Sequence, residues 1–81
     1  MNVLVVEDDT EVGDYLHTEL SRIGYTVTVG TTLAQAKDLI VAGAFDVVVL
    51  DRMLPDGDGL SFIEEIRNDG ISIPVLVLSA L

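Results

Sequence analysis

Val47-Val48-Val49-Leu50-Asp51-Arg52-Met53-Leu54-Pro55-Asp56-Gly57-Asp58-Gly59 decides the fold. Four apolar residues, three of them β-branched, predict a strand buried on both faces. The run stops on a carboxylate, and Pro55, Gly57 and Gly59 follow, so the chain leaves the strand in a tight loop. Asp51 therefore stands at the carboxyl end of a strand, where open α/β sheets bind their ligands. A solvated turn residue is the alternative for a single such Asp. Residues 3–6 end on Glu7-Asp8-Asp9 and residues 75–78 end on Ser79, so three apolar strands deliver side-chain oxygens to one end of a sheet.

Outward from that stretch the period alternates. After Asp9, Val12, Leu16, Leu20 and Ile23 recur at helical spacing, with Asp8 or Asp9 as cap and Glu11 completing a capping box from Asp8. Gly24 is placed to stop this helix. Residues 25–29 alternate apolar and hydroxyl side chains, which suits an edge strand with one well-buried face. Thr32-Leu33-Ala34-Gln35 predicts a capping box opening a second helix, with Leu33, Ala36, Leu39 and Ile40 inward and Gly43 at its end. Asp58 caps a third helix with Leu60, Ile63 and Ile66 inward and Phe62 beside them; Gly70 closes it. Ile73-Pro74 opens a fourth strand. The βαβαβαβ pattern predicts a parallel sheet with helices on both faces.

The 81 residues make one small domain, residues 1–81, whose core is aliphatic. Fourteen acidic against four basic side chains give a net charge of −10, which argues against direct nucleic-acid binding by this segment. Cysteine is absent, so there is no disulfide or thiolate metal site. No leader or apolar run long enough for a membrane span stands out, and a cytoplasmic location is the expectation.

Val-Val-Glu-Asp-Asp at residues 5–9, Leu50-Asp51-Arg52-Met53-Leu54-Pro55 with Gly59 eight residues past the Asp, and Leu78-Ser79-Ala80 together resemble the receiver domains of two-component response regulators. The Arg-Met-Leu-Pro and Leu-Ser-Ala-Leu wording resembles the OmpR/PhoB-type transcriptional regulators. The resemblance implies a flavodoxin-like (CheY-like) doubly wound sheet of order 2-1-3-4. It is incomplete here, since the family's fourth helix, fifth strand and fifth helix are missing. It also implies Asp51 as phosphoacceptor for a sensor histidine kinase, and Mg²⁺, with Mn²⁺ as substitute. The implied ligands are Asp8, Asp51 and the Met53 backbone carbonyl, with Glu7 acting through water. Ser79 falls at the family's switch position, while Pro55 and Gly59 shape the loop. The resemblance makes the chain a signalling phosphoacceptor, not a turnover enzyme, controlling an output domain, transcriptional by type, outside this segment.

Two other functions remain open. A receiver-like interaction module without phosphorylation is favoured by the missing strand-5 lysine, because Lys37 is the only lysine and sits on the second helix. An aspartyl-nucleophile phosphatase of the haloacid-dehalogenase type wants a second Asp where Met53 stands, and is the more distant choice. His17, near mid-helix, is expected on the surface. If the chain ends at Leu81, the open side of the fourth strand and the outward faces of Val75 and Val77 lack cover, and self-association through that edge is expected.

Overall fold

The computed structural model describes residues 1–78. Ser79 lies outside the described residues. The apolar runs form β1 (Asn2–Val6), β2 (Thr26–Gly30), β3 (Val47–Asp51) and, later in the chain, β6 (Val75–Leu78). Between them lie α1 (Thr10–Ile23), α2 (Leu33–Ala42) and α3 (Gly59–Asn68). The strands pair in parallel in the order β2-β1-β3-β6, which is the expected 2-1-3-4 with β6 as fourth long strand. The loop after Asp51 holds one element the sequence did not announce. Met53–Leu54 (β4) and Gly57–Asp58 (β5) pair as a small antiparallel hairpin turning at Pro55 and Asp56.

Alternation along the strands divides the core. Leu4, Val6, Val48 and Leu50 point to one face and pack with Ala36 and Ile40 of α2, Phe62 and Ile66 of α3, and Leu54. Val3 and Val5 point to the other face, in register with Val27 and Val29, where α1 lies with Gly13 against Val29. β2 is an edge strand, and its burial is only partial, as its alternating sequence requires.

Several local expectations shift. The cap of α1 is Asp9, whose Oδ1 accepts from the amides of Glu11 and Val12 at 2.9 and 3.2 Å; the Asp8–Glu11 capping box does not form. At α2, Thr32 Oγ1 accepts from Gln35 N, but Gln35 reaches back to the amide of Thr31, not of Thr32. Val12 and Ile23 of α1 are 41% and 66% exposed, because α1 lies mainly over β1 and β2 and its flanks overhang. In α3 the buried line is Gly59, Phe62 and Ile66, while Leu60 is exposed. Asp58 caps this helix at Leu60 N and Gly59 seats against β3, which turns Leu60 outward.

On β6, Val75 and Val77 face the α2–α3 side and are half-buried. Leu76 is the outward residue, 58% exposed, since its register partner Val49 faces the α1 side. Gly24 ends α1 at φ 111°, a left-handed turn that an L side chain would strain. Among the described residues no helix is long and apolar enough to cross a membrane.

Burial sets the cost of truncation. Leu4→Ala, at a residue with no exposed surface, is expected to destabilise the fold by about 2–5 kcal/mol in urea unfolding. Val41→Ala, at a site 69% exposed, should move stability by less than about 0.5 kcal/mol.

Candidate functional site

The parallel pairing of β1 with β3 places Val6 opposite Leu50, so Glu7 and Asp8 leave their strand beside Asp51. Carboxylate oxygens of Glu7, Asp8 and Asp51 all lie within 4.8 Å of one another. The three differ in surroundings: Glu7 is buried, Asp51 half-buried and Asp8 exposed. Glu7 is fixed at both ends of its residue, its amide donating to Gly30 O at 2.9 Å and its Oε1 accepting from Asp9 N at 3.0 Å. Because Asp9 caps α1, the Asp8 carboxylate is not drawn into the helix end and can face the cluster.

Charge accumulates here without local compensation. Burial pushes the Glu7 carboxyl above its ordinary value, and the neighbouring Asp51, Asp8 and Asp9 push the same way; the Asp9 amide opposes them in part. Among the described residues no basic side chain is paired with Glu7, Asp8 or Asp51. Lys37 is committed elsewhere, its Nζ 2.9 Å from Glu65 and 2.6 Å from Asp69 on the α3 side. Arg52 turns toward Asp58, Nε to Oδ1 3.9 Å. His17 is exposed on α1. An all-oxygen, hard, anionic donor set of this kind fits a divalent cation such as Mg²⁺.

The loop beyond Asp51 is tied down closely. Gly59 N donates to Arg52 O, and a Cβ on Gly59 would come within 2.8 Å of the Asp51 carbonyl oxygen and 3.2 Å of Arg52 Cα. Only glycine lets the start of α3 lie against the backbone that carries Asp51. Met53 opens β4 two residues past Asp51, with its side chain 65% exposed, and Pro55 stands at the hairpin turn. A groove of about 480 Å³ lies away from the carboxylates, between α2 and α3, lined by Leu33, Lys37, Asp56, Phe62 and Glu65 among others. Asp56 had no place in the sequence reading. It reaches across to α2, and nothing in the loop's composition marks that contact.

Residues 3–81 match the response regulator receiver domain family over nearly the whole chain. The chain belongs to that family. QseB of Escherichia coli O157:H7, a transcriptional regulatory protein, is 39% identical over 80 residues, covering 99% of this chain and 36% of QseB. The receiver domain of the Francisella response regulator 1452 superimposes with a TM-score of 0.94 at 36% identity, over 99% of this chain and 66% of that one. TrrA from Thermotoga maritima, solved in complex with Mg²⁺ and BeF, gives a TM-score of 0.91 at 29% identity, over 99% of this chain and 70% of TrrA. The chain thus spans about a third of the length of its curated relatives, which are regulators of the OmpR/PhoB type. Receiver domains of response regulators are signalling modules.

The raised Glu7 pKa predicts a pH dependence in this receiver. The folded chain holds that proton more tightly than the unfolded one. The cost of ionising Glu7 is therefore absent below the ordinary carboxylate range, and it grows as pH rises through the raised folded value. Without divalent metal, Glu7→Gln should be more stable than the parent at neutral pH, and the gap should close by about pH 3. Urea unfolding at the two pH values checks this; an equal gap at both would contradict it.

Proposed function

We propose that this chain accepts a phosphoryl group on Asp51 from the phosphohistidine of a sensor histidine kinase. The observation that carries the proposal is the meeting of Glu7, Asp8 and Asp51 carboxylates within 4.8 Å in a chain of the receiver family. Mg²⁺, with Mn²⁺ as substitute, would be held by the Asp8 and Asp51 side chains and the Met53 backbone carbonyl, with Glu7 assisting through water. When bound, the cation supplies charge neutralisation at a site where three carboxylates would otherwise repel an incoming phosphoryl group. TrrA carrying Mg²⁺ and BeF, a group shaped like a phosphoryl, supports this reading.

The chain's own residues do the rest. One oxygen of the Asp51 carboxylate attacks phosphorus. The P–O bond to Asp51 forms as the P–N bond to the kinase histidine breaks, and the departing imidazole keeps the bond's electron pair and takes up a proton. Gly59, by letting α3 start against the Asp51 backbone, holds that carboxylate at the crevice mouth. Ser79 would donate its hydroxyl to a phosphoryl oxygen, one bond to a charged group being worth roughly 1.5–3 kcal/mol, enough to bias a loop between two positions.

The readout is assigned to an output domain outside this segment, transcriptional like that of QseB by name, and the protein to the cytoplasm. With a net charge of −10, this segment is not the part that meets DNA. A receiver-like interaction module is the second reading, favoured by one observation: the only lysine, Lys37, is bound to Glu65 and Asp69 and not near Asp51.

Two measurements follow from these proposals. In the protein with whatever sequence naturally continues it, a small phosphodonor and Mg²⁺ should place one acid-labile phosphate on Asp51, and Asp51→Asn should abolish labelling while keeping the fold. Label persisting on that variant would move the site. For the 81-residue polypeptide alone, the open side of β6 with Leu76 58% exposed should drive self-association. Sedimentation at micromolar concentration is expected to report a dimer or larger; a cooperatively melting monomer would refute it.

A further inference from the structure

Asp56 sits at the tip of the β4–β5 hairpin, three residues beyond Met53, and its carboxylate spans two amides of another element. Its Oδ1 accepts from Leu33 N at 2.9 Å and its Oδ2 from Ala34 N at 3.1 Å, so it closes the start of α2 from a distance of 22 to 23 residues in sequence. The helix's own cap, Thr32, takes the next amide, Gln35 N, at 3.1 Å. The two residues divide the donors that an isolated helix end leaves unmet. The α2 amides in turn hold the Asp56 carboxyl below its ordinary value, that of Leu33 more than that of Ala34, so the hook is an anion on a helix N-terminus.

The hairpin's other ties lie at its base, where Gly59 N donates to Arg52 O. Each strand is two residues long, and Pro55 has no amide to donate. Leu54 buries into the core beneath it, and Asp58 at its far end is spent capping α3 at Leu60 N. The tip itself is held by Asp56. Resting on the metal reading above, we infer that Asp56 is a positioning residue for the site: by clamping the hairpin tip to α2 it sets where the Met53 backbone stands relative to Asp51, and so couples α2 to cation binding. It touches neither the cation nor the phosphoryl group.

That coupling is reciprocal by thermodynamic necessity. Ordering Met53 at the site should tighten the hook, and loosening the hook should weaken the site. Asn at position 56 keeps the shape but presents an NH2 to one of the two α2 amides, so half the clamp is lost. A residue that merely caps α2 would lower stability on removal without changing the cation affinity of the folded protein. The control for that possibility is Thr32→Ala, which weakens the same helix end without touching the hairpin.

The test is a Mg²⁺ titration followed by amide NMR shifts, with amide hydrogen exchange in parallel, on the protein with its natural continuation and on Asp56→Asn and Thr32→Ala. The expected result has three parts. Asp56→Asn binds Mg²⁺ about five- to tenfold more weakly. Thr32→Ala binds it as the parent does. In the parent, saturating Mg²⁺ slows exchange at Leu33 and Ala34, and in Asp56→Asn it does not. Parent-like Mg²⁺ affinity in Asp56→Asn, or equal weakening in Thr32→Ala, would overturn the coupling while leaving the metal site in place. Absence of Mg²⁺ shifts at Asp8, Asp51 and Met53 in the parent would overturn the metal reading and this inference together.

Discussion

The backbone pairing of β1 with β3, Val6 opposite Leu50, is the constraint from which the rest of the structure follows. Both strands are apolar up to that point and acidic immediately after it, so the ladder that buries Leu4, Val6, Val48 and Leu50 also drives carboxylates together at its end. Burial of the aliphatic residues holds the strands in register, and a one-residue slip would turn every side chain to the opposite face. The charge repulsion at the strand ends is thus imposed by hydrophobic packing a few residues away. Glu7 is pushed above its ordinary value by its burial first and by Asp51 and Asp8 after it, with the Asp9 amide opposing.

Around that site, each of three aspartates is spent on a backbone end. Asp9 caps α1, Asp58 caps α3, and Asp56 closes α2 from across the groove. All three lie close in sequence to the proposed ligands and are engaged in holding helices instead. The effect is to leave Glu7, Asp8 and Asp51 as the trio facing one another. In the groove itself, Lys37 of α2 reaches Glu65 of α3 and Asp69 just beyond it. Those lysine pairs are solvent-accessible and contribute orientation more than energy. Lys37, by its place there, is unavailable to the carboxylate cluster.

The two faces of the sheet are unequal. Toward α2 and α3 the packing is continuous, from Leu4 through Leu50 to Phe62 and Ile66. Toward α1 it covers β1 and β2 and then thins, leaving Val12, Ile23 and Leu76 open to solvent. Receiver domains of known structure are longer than this chain, which covers 66% of the Francisella receiver and 70% of TrrA.

The sequence by itself determined the four long strands, the three helices, the parallel sheet and the carboxylates at its ends, because these rest on local signals. Apolar runs, a period of two against one of 3.6, and an Asp that ends a Val-rich strand are all legible within a few residues. Tertiary structure decided what depends on distant neighbours. Asp8 and Asp9 are chemically equal as caps, and only the position of α1 over the sheet gave the cap to Asp9 and left Asp8 to the cluster. The burial of Phe62 in place of Leu60 came from Gly59 seating on the Asp51 carbonyl, a contact no helical period encodes. The same holds for Asp56: its partners lie 22 and 23 residues back, and a turn residue in a loop becomes the second cap of α2 only when the hairpin is folded against it.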